Sequence, residues 1–256
     1  MKTEITTWIL LRGLTREQGH WGEFAAQFAH AMCTAHVVTL DFPGNGQFYQ
    51  QRSPCDVQAM VAHCRAQLVQ RKIVPPYGVM AMSLGAMVSV AWGHAYPQEV
   101  VAQVLINTSM RPFSPFYQRL RPANYGALLK LMTFGASAQE WERTVLRLTS
   151  QLSQADVLPT WLTIRDQRPV SLANACRQLI AAARFKASKA TPWMPVLVLA
   201  SQQDQLVCAA CSQALAQQWR CELRLHPDAG HDLPLDDGSW VVAQVRQWLL
   251  QLNWRD

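Results

Sequence analysis

Charge is sparse in this sequence. Only 16% of its 256 residues are Asp, Glu, Lys or Arg, against 50% that are hydrophobic, a balance that excludes a disordered or fibrous chain. Long apolar runs are also missing: nothing approaches the roughly 18 residues that a membrane helix needs. Met1-Lys2-Thr3-Glu4 leads straight into a strand-like run with no signal-peptide core, so the expected location is the cytoplasm. A disulfide framework is absent too. The seven cysteines (Cys33, Cys55, Cys64, Cys176, Cys208, Cys211 and Cys221) are odd in number and scattered, which suits reduced thiols. Cys208-Ala-Ala-Cys211 has no second Cys-x-x-Cys and no histidine pair beside it, so it reads as buried small hydrophobes, not a zinc or redox site.

What is present is an alternation. Thr6–Leu11, His36–Leu40, Tyr77–Met82, Val100–Ile106, Pro195–Ala200 and Cys221–Leu225 are short and rich in aliphatic and β-branched residues, the pattern of strands. Between them, spacing of apolar positions predicts helices from Phe24 to about Met32, over Val57–Val69, after Ser83 up to Pro97, over Val207–Trp219 and over Trp240–Leu252. Strands alternating with helices argue an α/β fold, a mostly parallel sheet with helices on both faces. From Met110 to about Ala190 no strand pattern appears. The segment is rich in Arg, Leu, Ala and Gln, is punctuated by prolines, and has helical patches at Tyr125–Thr133, Glu140–Leu152 and Ser171–Phe185. Expected boundaries are residues 1–110 and 191–256 for the core and 111–190 for a helical insertion.

Candidate chemistry centres on Ala81-Met82-Ser83-Leu84-Gly85. A strand, a sharp turn with serine at its apex and a helix make a nucleophile elbow, which needs small residues two before and two after the serine. Ala81 stands where glycine is usual. Taken alone, small-x-Ser-x-Gly is a pattern that arises easily by chance. Two later residues strengthen it: Asp204, just beyond the strand Val196–Leu199, and His231, in the loop after the strand Glu222–Leu225.

Serine, acid and histidine in that order, at those strand ends, resemble the α/β-hydrolase fold superfamily, and the likeness spans nearly the whole chain. The resemblance implies about six strands, an inserted helical cap and a Ser83–His231–Asp204 triad. His231 would take the Ser83 proton, and Asp204 would fix the imidazole tautomer. Asp204 read alone is a helix N-cap before Val207. Asp228, Asp232 and Asp236 lie too near His231 in its own loop to serve as the acid, and His226, at a strand terminus before Pro227, reads as structural. The oxyanion donors would be the backbone N–H groups of Leu84 and of Leu14, in Arg12-Gly13-Leu14, where relatives often have His-Gly-x. Arg12 in the histidine's place reads as a structural anchor.

A serine nucleophile points to ester or thioester hydrolysis, as in capped carboxylesterases, with neither metal nor organic cofactor implied. The alternatives are a non-hydrolytic ligand-binding member of the fold and a lyase or synthase using the same triad for proton abstraction. Within the insertion, Phe113, Phe116, Leu128, Met132, Phe134 and Trp161 belong either to the cap's own core or to a substrate pocket. Residues 111–189 hold 12 Lys/Arg and 4 Asp/Glu, a net +8 within a chain of net +6, leaving −2 for the rest. That charge is either a solvated basic face or a field that steers an anionic ester, an acyl carrier protein or an anionic membrane surface. No nucleic-acid recognition motif accompanies it.

Overall fold

The computed structural model describes residues 5–32, 35–133, 136–152 and 157–254, with Met132 and Thr133 described by backbone alone. The residues Met1–Glu4, Cys33 and Phe134 lie outside that description. The chain runs β1 (Thr7–Leu11), α1 (Phe24–Ala31), β2 (His36–Leu40), α2 (Val57–Gln70), β3 (Tyr77–Met82), α3 (Leu84–Ala95) and β4 (Val100–Ile106). Five helices follow: α4 (Phe116–Arg119), α5 (Tyr125–Thr133), α6 (Ala138–Thr149), α7 (Leu158–Gln167) and α8 (Leu172–Arg184). The α/β rhythm resumes with β5 (Val196–Ser201), α9 (Ala210–Trp219), β6 (Glu222–His226), α10 (Leu233–Asp236) and α11 (Gly238–Gln251).

The six strands form one sheet in the order β2-β1-β3-β4-β5-β6, every neighbouring pair parallel. Parallel strands require crossovers, which place helices on both faces and bury both sides of each strand. The alternation along β1 shows the result. Ile9 and Leu11 face the core layer that also holds Val61 and Leu68 of α2, Val88 of α3 and Leu215 of α9. Trp8 and Leu10 point the other way, toward Phe24 and Phe28 of α1 and Val245 and Trp248 of α11.

The helical segment between β4 and β5 leaves and returns at one place. Arg111 and Lys186 form an isolated parallel bridge, and Ala187 N donates to Arg111 O at 2.8 Å. Several helix boundaries differ from the sequence expectation by one to three residues, and three of them have a clear local reason. Helix α6 starts two residues before Glu140 because Ser137 and Glu140 form a reciprocal capping box. It stops at Thr149 because Asp236 accepts from Ser150 Oγ and from the N–H groups of Gln151 and Leu152. Helix α9 starts at Ala210, not Val207, because Asp204 Oδ1 draws in the N–H groups of Leu206 and Val207, and Cys208 N bonds to Gln118 O. Helix α7 was not foreseen: Pro159 sits in its first turn, where proline is tolerated, not at a breaking position.

Candidate active site

Parallel topology gathers the C-terminal ends of β1, β3, β5 and β6 along one edge, the place where open α/β sheets present their sites. Ser83 follows β3 with φ 53° and ψ −116°, a conformation that a side-chain-bearing residue adopts only under constraint. The constraint is visible. Ser83 N donates to Ile106 O at 3.0 Å, and Thr108 Oγ1 donates to Ser83 O at 3.1 Å. A Cβ on Gly85 would lie 2.6 Å from both Leu11 O and Arg12 O, so only glycine fits there. Ala81, at the other small position, is fully buried between Leu11 and Leu105 of the neighbouring strands.

Asp204 and His231 meet. His231 Nδ1 lies 2.7 Å from Asp204 Oδ2, and both side chains are buried. With Nδ1–H directed at the carboxylate, the neutral ring presents Nε2 as an acceptor, and Nε2 has no protein partner among the described residues. Asp204 is held at its other oxygen by Leu206 N and Val207 N, at 2.8 and 2.9 Å. The cap-like role expected of it and the histidine contact therefore coexist on two different oxygens. Ser83 and His231 line one small cavity of about 120 Å³, with no hydrogen bond between them in this structure.

The fold and this geometry agree with what the comparisons return. The sequence matches the alpha/beta hydrolase family over residues 8–244. The chain belongs to that family. No curated protein matches it by sequence. Similar solved structures include a thermophilic esterase from Thermogutta terrifontis (TM-score 0.71, 17% identity, covering 98% of this chain and 91% of that one). Another is olei00960, a hydrolase from Oleispira antarctica (0.75, 15%, 97% and 92%). A third is Est816, described as an N-acyl homoserine lactone degrading enzyme (0.69, 18%, 96% and 93%). At these identities the likeness is one of fold.

Within this alpha/beta hydrolase, the rival acids have other partners. Asp232 pairs with both terminal nitrogens of Arg12, whose guanidinium also lies 4.8 Å from the Trp21 ring centroid. Arg12 is thus an anchor that ties the loop after β1 to the residue following His231. Asp236 accepts from Gly230 N at 2.7 Å. His226 accepts from Asp228 N and Ala229 N and packs edge-on to Trp240. Leu14 and Leu84 both line a larger cavity beside Ser83, and neither backbone N–H has a protein acceptor among the described residues.

One positioning residue was missed in the sequence. Asn107, just past β4 with φ 44°, donates from Nδ2 to Ser201 Oγ, Gly230 O and His231 O at 3.0, 3.1 and 2.8 Å, and accepts from Ser201 N at 2.8 Å. It ties the loop bearing His231 to the end of β5. The available signal was a polar residue at the end of an otherwise apolar strand.

Two cavities meet at Ser83. The smaller is bounded by Gly13, Leu14, Trp141, Leu148 and His231. The larger, about 380 Å³, lies beneath the helical insertion and includes Met87, Phe116, Leu128, Leu179 and Val207 in its wall. Of the expected pocket candidates, Phe116 and Leu128 line it. Phe113 instead packs edge-on to Trp219, and Trp161 lies under Arg16. The described cysteines are free, and burial pushes the Cys211 and Cys221 thiols up to about 11, which keeps them unreactive.

Proposed function

We propose that this alpha/beta hydrolase cleaves a small carboxylic ester or thioester through Ser83, His231 and Asp204. The observation that carries the reading is the 2.7 Å Asp204–His231 contact at the wall of a cavity shared with a serine on a strained strand-to-helix turn. In the forward step Ser83 Oγ bonds to the acyl carbon while its proton passes to His231 Nε2, and Asp204 stabilises the imidazolium. The tetrahedral oxyanion is held by the N–H groups of Leu14 and Leu84. Collapse breaks the bond to the alcohol or thiol, which leaves with the proton from His231. Water, deprotonated by His231, then attacks the acyl-Ser83 ester; its proton passes from His231 to Ser83 Oγ as the acyl–Oγ bond breaks, which releases the carboxylic acid and restores the serine. Side chains and water carry every step.

The cavities have a division of labour in this scheme. His231 must protonate the leaving group, so the smaller chamber, which it lines, takes the alcohol side. The larger chamber, walled by Leu84 but not by His231, takes the acyl group. The net charge of +8 on residues 111–189 would draw anionic substrates toward the opening. No described helix is long and apolar enough to cross a membrane, and a cytoplasmic setting fits the free cysteines.

A fluorophosphonate should label the wild-type chain at Ser83, and Ser83→Ala should abolish both labelling and turnover of short-chain esters, a loss of about 10⁶-fold in kcat. A folded wild-type chain that neither labels nor hydrolyses any ester in a panel of acyl lengths would exclude the reading.

A further inference from the structure

The larger chamber is mostly apolar, with Ser83, Ser109, Tyr125 and Arg119 as its polar side chains. Its wall includes Leu14, Met87, Leu128, Leu179 and Val207, no Asp or Glu, and a single charged side chain, Arg119 of α4. Arg119 makes no ion pair among the described residues. Its Nη2 donates to Ala182 O at 2.7 Å, which fixes the guanidinium against the end of α8, and its Nε–H has no acceptor. Arg119 is half-buried; even partial desolvation of an unpaired guanidinium costs free energy and holds its pKa below the ordinary value, although an arginine stays charged. The two fully buried arginines are matched by carboxylates. Arg12 faces Asp232 and Arg16 faces Glu142. Arg119 has no carboxylate partner among the described residues, and of the half-buried arginines so placed it is the one that lines the chamber assigned above to the acyl group.

We propose that Arg119 is a specificity-determining residue that binds a carboxylate carried at the distal end of the acyl chain. The inference rests on the hydrolase reading and refines it: the substrate class is a half-ester of a dicarboxylic acid, esterified at the end that reaches Ser83. The apolar wall packs the intervening methylenes, and the guanidinium supplies the charge-assisted hydrogen bonds that a neutral acyl terminus lacks. The anion also offsets the desolvation of Arg119, so recognition appears in binding and leaves the acyl-transfer step as it is. An arginine that merely braces α4 against α8 would affect charged and neutral substrates alike.

The test is a ratio. Methyl half-esters of straight-chain dicarboxylic acids are compared with methyl alkanoates of equal carbon number, over acyl chains of about four to ten carbons. The wild-type chain should prefer the half-ester of best-fitting length by about 10- to 100-fold in kcat/KM, the range of one hydrogen-bonded charge. Arg119→Met should bring that ratio near one, chiefly through KM. Arg119→Lys keeps the charge without the fork and should give an intermediate ratio. It also carries the test should the methionine variant fail to fold. A wild-type ratio near one, or a preference that survives in Arg119→Met or is unchanged in Arg119→Lys when only that variant folds, would overturn the assignment. Fluorophosphonate labelling separates the two levels. Labelled Ser83 with no half-ester preference overturns Arg119's role alone, whereas no labelling overturns the hydrolase reading and this inference with it.

Discussion

The sheet domain and the helical insertion are held by different balances of apolar and polar contact. Inside the sheet domain, strand faces meet helices through aliphatic and aromatic side chains, as where Trp8 meets Phe28 edge-on at 5.4 Å. The insertion adds Ala181, Ala187 and Phe113 to the apolar core, but is also joined to that domain through a set of buried polar groups. Glu142 of α6 accepts from Arg16 at 2.6 Å and from Arg165 at 3.1 Å, while Arg16 also lies 4.1 Å from the Trp161 ring centroid. Arg168 pairs with Glu17 at 2.8 Å. Gln178 of α8 accepts from Thr15 N and donates to Asn45 Oδ1 and Ser53 Oγ, and neighbouring Asn174 bonds Ser53 N and Gln51 O. Directional contacts set position more sharply than area does, because each buried donor costs free energy unless its one acceptor is in place. The apolar surface that the insertion does not spend on docking lines the chamber beside Ser83. The sheet domain carries Ser83, Asp204 and His231, and the insertion roofs the chamber beside them.

That contrast can be broken at three points. The largest effect should come from Asp204→Asn, which keeps the shape but favours the wrong imidazole tautomer. We expect a fall of about 10⁴-fold in kcat with little change in unfolding midpoint, checked by ester kinetics beside urea denaturation. Glu142→Gln should do the reverse. It leaves the buried Arg16 unpaired, which should cost about 3 kcal/mol and loosen the insertion. Limited proteolysis should then cut within residues 111–190 first, and a unit that instead melts as one piece without loss of stability would erase the distinction.

The smallest effect concerns pH. Glu17 is buried beside Asp41, and burial first, then that neighbouring carboxylate, lift its pKa from 4.5 to about 7, against the opposing pull of Arg168. A carboxyl with a raised folded-state pKa favours the fold below its unfolded value, and that contribution is lost as pH rises from about 4.5 to about 7. Wild type should therefore lose stability relative to Glu17→Gln across that window, measured by melting temperature at matched ionic strength. Parallel pH profiles for the two proteins would show that Glu17 does not titrate there.

Most of the sheet was legible because a parallel strand must be apolar on both faces, and runs such as Val196–Leu199 announce that locally. The elbow, Asp204 and His231 could be placed because each sits at a strand end that the sequence marks. Asn107 and the Arg16–Glu142–Arg165 network could not. Their roles depend on partners far along the chain, Gly230 and His231 for the first and α6 and α7 for the second, and no spacing rule links such positions. Arg119 lay among the 12 basic residues counted between 111 and 189. Only the structure shows which of them faces an apolar wall instead of water or a carboxylate.

The bridge between Arg111 and Lys186 has a consequence for design. Because the insertion's two ends leave the sheet domain side by side, the β4-to-β5 crossover does not depend on what is spliced between them. Closing that gap with a different segment changes the loop entropy only slowly with length. The roof is in this sense exchangeable: a replacement with other apolar lining residues, or with its cation moved, would reshape the chamber beside Ser83 while Ser83, Asp204 and His231 stayed at their strand ends.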